Sequence, residues 1–188
     1  MTGAGPELRF SFREYLSVDE ATPVKHEYLD GMILAVAGGT PDHAALAMAV
    51  GASLTRQLLG QKCRVFSEAL RIRVQATGFA GYPDVSVVCA KLMHDPEDAN
   101  TVVNPAVVVE ILSPSTEHYD RGEKLRQYQL IPSLAHIVFV SHDSHRIEVV
   151  TRRDGAWSST TAGPGGRASL SAIGCELDVD ELYRDPLA

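Results

Sequence analysis

The chain has 188 residues, 45% of them hydrophobic and 22% charged, with a formal net charge of −7. That length and mix, close to ordinary globular usage, fit a single soluble α/β domain spanning 1–188 with a substantial core. The acidic balance argues against a protein that holds nucleic acid by bulk electrostatics, yet it leaves room for a carboxylate-rich metal site and for a local basic strip that touches phosphates.

No run of about 18 apolar residues occurs, so no transmembrane helix and no membrane partner is expected. Met1 to Phe10 lacks a basic region followed by an apolar stretch, so a signal peptide is not expected and the expected location is cytoplasmic. Cys63, Cys89 and Cys175 are odd in number, far apart and without a CxxC pair. Reduced, mostly buried thiols are therefore expected rather than a disulfide framework or a zinc site.

In chain order, Ser11 to Glu20 reads as a short helix with Phe12, Tyr15 and Leu16 on one face. KHEYL-DG-MILAVA follows, and its Asp30-Gly31 pair predicts a type I′ hairpin turn, because both central residues need positive φ. Period-two alternation puts Lys25, Glu27 and Leu29 on one face of the first strand. Thr40 and Pro41 read as N-cap and first helical residue of a helix running from about Asp42 to Leu59, with Gly60 at its end. Its Ala-rich surface predicts burial on several sides. Ser67 to Val74 alternates like a strand. Asp84 to Cys89 and Ala106 to Leu112 are mostly apolar, the mark of central strands covered on both faces. A helix is expected from about Tyr119 to Leu130, stopping before Pro132. Ala135 to Val140 and Arg146 to Thr151 read as strands joined by the polar turn HDSH, with His136, His142 and His145 solvated around it. Gly163 to Gly166 is a loop, Trp157 packs over the last strand pair, and Asp178 to Tyr183 closes the chain as a short helix. This order fits an α/β (α+β) fold with a central mixed β-sheet flanked by helices, and an N-terminal helix and β-hairpin.

Glu110 is the most informative residue. Its strand is apolar on both faces, where a charge costs several kcal/mol unless it is paired or binds metal. Two readings stay open from strand context alone: a buried salt bridge to an arginine or lysine, or a functional carboxylate. Asp84 opens the preceding strand after Pro83, and on its own could be a turn residue. If the two strands are neighbours, the two carboxylates converge at one sheet end and repel unless a cation sits between them. Oxygen ligands of this kind suit Mg²⁺ or Mn²⁺ rather than Zn²⁺. On the following helix Lys124 and Tyr128 are four apart and share a face. Lys124 can reach back to the sheet end, to orient or deprotonate a water or to stabilise phosphate charge. Otherwise it is a solvated surface lysine.

YPDVSVV, NPAVVVEILSPST and DRGEKLRQY, preceded by HEYLDG and a histidine opening the next helix, resemble the restriction endonuclease family of unknown function within the PD-(D/E)XK nuclease superfamily. The resemblance extends from Ser11 to Tyr183 and implies a restriction endonuclease-like core. It implies that Asp84 is the acidic residue of the PD element, that Glu110 is the acidic residue of (D/E)XK, and that the Ile111 carbonyl is a further metal ligand. The lysine two beyond Glu110 is replaced by Leu112, which makes Lys124 the candidate in its place. Tyr128 matches a helix tyrosine of related nucleases, Glu27 the glutamate of the N-terminal hairpin, and His43 the family's histidine. Ser113 and Asp120 also match: Ser113 to hydrogen-bond near the site, Asp120 to cap the helix.

The expectation is a Mg²⁺- or Mn²⁺-dependent endonuclease acting on DNA. Asp84, Glu110, Lys124 and Glu27 are its catalytic candidates, His43, Ser113 and Tyr128 its substrate contacts, and Asp84, Glu110 and Ile111 its metal ligands. The alternative is a non-catalytic nucleic-acid- or protein-binding module on the same fold, for which the missing lysine and the acidic charge speak. A homodimer is expected if both strands of a duplex are cut.

Overall fold

The computed structural model describes residues 9–36 and 38–185. Helix α1 (Phe12–Ala21) opens with a capping box: Ser11 Oγ accepts from the Glu14 amide, and the Glu14 carboxylate accepts from the Ser11 amide at 2.7 Å. Its apolar face, Phe12, Tyr15 and Leu16, packs with Ala80 against β1 (His26–Leu29). Strand β2 (Met32–Ala35) returns through Asp30 at φ +48° and Gly31 at φ +83°, the type I′ turn that the Asp-Gly pair predicts. Helix α2 (Pro41–Gln57) has Thr40 as its N-cap, its Oγ1 accepting from the His43 amide. Only one face of α2 is covered, by Leu46, Val50, Ser53 and Leu54; Met48 is 72% exposed, so the expected burial on several sides does not occur.

The 67–74 region is not one strand. Strand β3 (Arg64–Ser67) ends in a tight turn closed by the Leu70 amide on the Ser67 carbonyl, and β4 (Arg71–Arg73) enters a different sheet. Next come β5 (Ala80–Gly81), β6 (Val85–Val88), β7 (His94–Asp95), β8 (Asp98–Val102) and β9 (Val107–Leu112). The expected uniform helix is three joined segments: α3 (Glu117–Tyr119), a π-helical stretch over Asp120–Lys124, and α4 (Leu125–Tyr128). The chain closes with β10 (His136–Ser141), β11 (Ile147–Arg153), β12 (Ala156–Ala162), β13 (Arg167–Leu170), β14 (Cys175–Asp178) and α5 (Val179–Leu182).

Among the described residues these strands form two six-stranded mixed sheets, β2-β1-β5-β4-β8-β7 and β12-β11-β10-β9-β6-β3, and the β13-β14 hairpin. The second large sheet is the expected central one. Its β9 and β10 run parallel, with Glu110 opposite Phe139, and β6 pairs antiparallel with β9, Val85 opposite Val109. One face packs Val85, Val87, Val107, Val109 and Ile111 against α2, β14 and α5. The other packs Val108 and Leu112 against Tyr128 of α4 and Ile72, Val74 and Phe79 of the first sheet's side.

Two other expectations are corrected. Cys63 and Cys89 form a disulfide, because they stand one step beyond the Arg64–Val88 pair of the antiparallel β3–β6 ladder; Cys175 is free and buried as expected. His136 is not solvated. It lies in the central sheet, with Nδ1 against Thr151 Oγ1 and Nε2 accepting from the Ala172 amide. His142 is half-buried, its Nε2 3.2 Å from Thr40 Oγ1, while His145 is exposed and stacks on Tyr183. Trp157 on β12 lies under Arg152 of β11. Arg71 is buried between Asp19 at 2.6 Å and Asp98 at 2.7 Å, tying α1 to the first sheet. Among the described residues no helix is long and apolar enough to cross a membrane.

Candidate active site

The antiparallel register sets the central pair. One step beyond Val85–Val109, Asp84 stands opposite Glu110 across adjacent strands. Opposed residues point to the same face of a sheet, here the face covered by α4. Asp84 Oδ2 accepts a hydrogen bond from the Ile111 amide at 2.7 Å. The same oxygen is 3.3 Å from Nε2 of His43, which the first turn of α2 delivers to the strand end. Glu110 is 3% exposed and accepts from the Tyr128 hydroxyl at 2.8 Å.

Lys124 reaches back from the π-helical stretch to this face. Its Nζ lies 2.9 Å from Glu27 Oε1, 3.3 Å from Asp120 Oδ1 and 3.4 Å from both oxygens of Glu110. The whole group is buried. Asp120 is therefore not the cap at the helix start; Thr116 holds the N-cap position, and Asp120, at the end of α3, faces inward beside the lysine. The hairpin supplies Glu27, and the close approach of β5 demands a glycine: a Cβ on Gly81 would sit 2.8 Å from Phe79 and 3.0 Å from Glu27 Oε1.

Electrostatics follow from these distances. Burial opposes the charge on Lys124, but the Glu110, Glu27 and Asp120 carboxylates outweigh it and hold its pKa well above the ordinary value. Burial pushes the Glu110 pKa well above its ordinary value, and Asp120, Asp84 and Glu27 add to this against the opposing pull of Lys124. Three carboxylates share one ammonium, and among them Glu110 is held towards its neutral form. The Asp84 carboxylate raises the His43 pKa against the opposing effect of burial, with the Ile111 backbone helping. Burial and the Glu110 and Glu27 charges push the Tyr128 hydroxyl up, so it remains a donor.

Asp84 and His43 line a cleft of about 1060 Å³ bounded by α2, β3 and the hairpin; Glu110 and Lys124 lie behind them. Among the described residues no three His, Cys, Asp or Glu side chains form a ready-made cage for an ion. The group that could hold one is the all-oxygen set of the Asp84 and Glu110 carboxylates and the Ile111 carbonyl. That set suits a hard divalent cation, and the surplus negative charge favours one.

The structure thus brings together Asp84, Glu110, Ile111, Lys124, Glu27, His43 and Tyr128. It leaves Ser113 apart: its hydroxyl lies 3.0 Å from those of Ser115 and Thr116 at the helix start. Asp120 joins the cluster unforeseen. The signal for it is its spacing, four residues before Lys124 on one helical face. Tyr119 joins too, its ring 5.8 Å from Lys124 Nζ.

Comparisons with known proteins bear on this geometry. The sequence model of a family described as "Uma2: Putative restriction endonuclease" matches residues 12–180. "Uncharacterized protein slr1290" of Synechocystis sp. is 36% identical over 185 residues, covering 96% of this chain and 95% of its own. "Uncharacterized protein sll1609" of the same organism is 26% identical over 135 residues, covering 72% and 76%. The crystal structure of "a putative nuclease belonging to DUF820" from Anabaena variabilis superposes with a TM-score of 0.71 at 18% identity, covering 86% of this chain and 91% of that one. The fold is the restriction endonuclease-like one.

Proposed function

Because the chain belongs to the Uma2 family, we propose that it is a divalent-metal-dependent endonuclease that hydrolyses phosphodiester bonds in DNA. One observation supports this reading above the others: Asp84 and Glu110 face each other at the end of adjacent strands, beside a lysine outnumbered by carboxylates. Asp84, Glu110 and the Ile111 carbonyl would hold Mg²⁺ or Mn²⁺, with Glu27 assisting. When bound, such an ion polarises the phosphate and lowers the pKa of a water.

The chain's own groups do the rest. Lys124 stays charged, so it acts as a fixed positive charge rather than as the base. It holds Glu27 and Glu110 in place, and Tyr128 fixes the rotamer of Glu110. His43, which lines the cleft against Asp84, would donate to a phosphate oxygen. A homodimer would present two such sites to the two strands of a duplex. Sedimentation of a monomer under cleavage conditions would remove that part.

The test is cleavage of plasmid, linear and single-stranded DNA with Mg²⁺ or Mn²⁺. Cleavage is expected, with a loss of about a hundredfold or more in Asp84→Asn and Glu110→Ala. Failure on every substrate with both ions overturns the reading in favour of a non-catalytic module, and activity that survives Glu110→Ala overturns the assignment of the site.

A further inference from the structure

We infer that Lys62, Arg64 and Lys91 form a docking patch for the phosphodiester backbone, which holds a nucleic-acid strand while another part of it enters the carboxylate site. This rests on the nuclease reading above. In a chain of net charge −7, most buried or half-buried cations are committed: Arg71 to Asp19 and Asp98, Arg73 to Asp95, Arg121 to Glu148, Lys124 to its three carboxylates. Lys25 and Arg56 on the cleft rim are paired too, with Glu68 and Glu181. Lys62, Arg64 and Lys91 are exposed, and none is within ion-pair distance of a carboxylate among the described residues. With His94 they line one depression of about 600 Å³. Uncompensated cations converging on one concavity are what a phosphate chain needs, and the local charge there opposes the global one.

Their placement is fixed by the fold. Lys62 and Arg64 flank Cys63 and Lys91 follows Cys89, so the disulfide staples the two segments that carry the three charges. The patch and the catalytic cleft abut opposite ends of the β3–β6 pair: Ser67, Glu68 and Asp84 line the cleft, Arg64 and Val88 the patch. Cys89 is five strand steps from Asp84, about 16 Å at strand rise, or about five phosphates of one strand measured along the axis of B-DNA.

The test is binding of a short labelled duplex to the Asp84→Asn protein without divalent ions, across a salt series. In that background Lys62→Gln, Arg64→Gln and Lys91→Gln together are expected to weaken binding about tenfold and to flatten the log–log salt slope by about three. A control triple variant of exposed arginines elsewhere, Arg13→Gln, Arg153→Gln and Arg184→Gln, is expected to change affinity by less than about twofold. All three proteins should melt alike, since every substituted residue is exposed. Unchanged binding in the patch variant, or an equal loss in both variants, overturns the proposal and leaves the nuclease reading to its own cleavage test. So does displacement of the duplex by millimolar inorganic phosphate, which would make the patch a small-anion site. Patch-dependent binding by a protein that never cleaves would keep the patch and discard the nuclease.

Discussion

Lys124 holds apart Glu27, Asp120 and Glu110, and without its charge three carboxylates would face one another out of water. Lys124→Met is predicted to destabilise the fold by about 3–5 kcal/mol, the usual result of breaking a buried ion pair from one side. Urea unfolding measures it, and adding Glu27→Gln should recover part of the loss. A loss under about 1 kcal/mol, typical of an exposed pair, would show that the lysine is not enclosed in solution. At this scale Glu110 is legible in the sequence, because a charge in a strand apolar on both faces has few cheap explanations. It has the lysine partner of the bland reading, and it shares that partner with Glu27 and Asp120. Asp120 is not legible in the same way. A carboxylate near a helix start reads as a cap, and only the turn of the helix over the sheet shows it facing inward.

At the scale of elements, β3 and β6 are joined twice, by their ladder and by the Cys63–Cys89 bond. The bond closes a loop of 26 residues, which predicts about 3 kcal/mol of stability lost on reduction. Denatured but unreduced protein should titrate one thiol, Cys175, and reduced protein all three. Three thiols before reduction, and a urea midpoint indifferent to reductant, would contradict the bond. Cysteine spacing could not foresee it, since the register that pairs the two strands is a tertiary fact. The same holds for the split of 67–74, where alternation continues through a turn and hides it. The β11–β12 turn is different. Its Asp154-Gly155 pair has φ +50° and +80°, the same turn chemistry as Asp30-Gly31, and was readable. The strand after it, AWSSTTA, is mostly exposed and lacks the apolar alternation that marks the first hairpin. Of the π-helical stretch periodicity says nothing, because Lys124 and Tyr128 share a face with or without it.

For the whole molecule, stability couples to pH through His136, which links the central sheet to the segment before β14. Burial, with Arg153 adding to it, lowers its pKa below 6.5. A histidine held neutral adds nothing above 6.5, where both folded and unfolded forms are uncharged. As pH falls below 6.5 the unfolded chain takes up a proton that the folded one resists, so stability falls until the folded value is passed. The wild-type urea midpoint should therefore drop more steeply below pH 6.5 than that of His136→Gln. Parallel slopes would show that His136 does not titrate as placed. His43 is raised and acts in the opposite sense, its stabilisation fading as pH rises above 6.5, so only the difference between the two proteins isolates His136.

The β6–β9 register stands Asp84 opposite Glu110, and the hairpin and the π-helical stretch bring Glu27 and Lys124 beside that pair. Calorimetric titration of the full chain with Mn²⁺ tests whether that pair shares an ion. One saturable site per chain is predicted in the wild type, absent in Asp84→Asn. No binding heat in the wild type, or an undiminished site in Asp84→Asn, would contradict it.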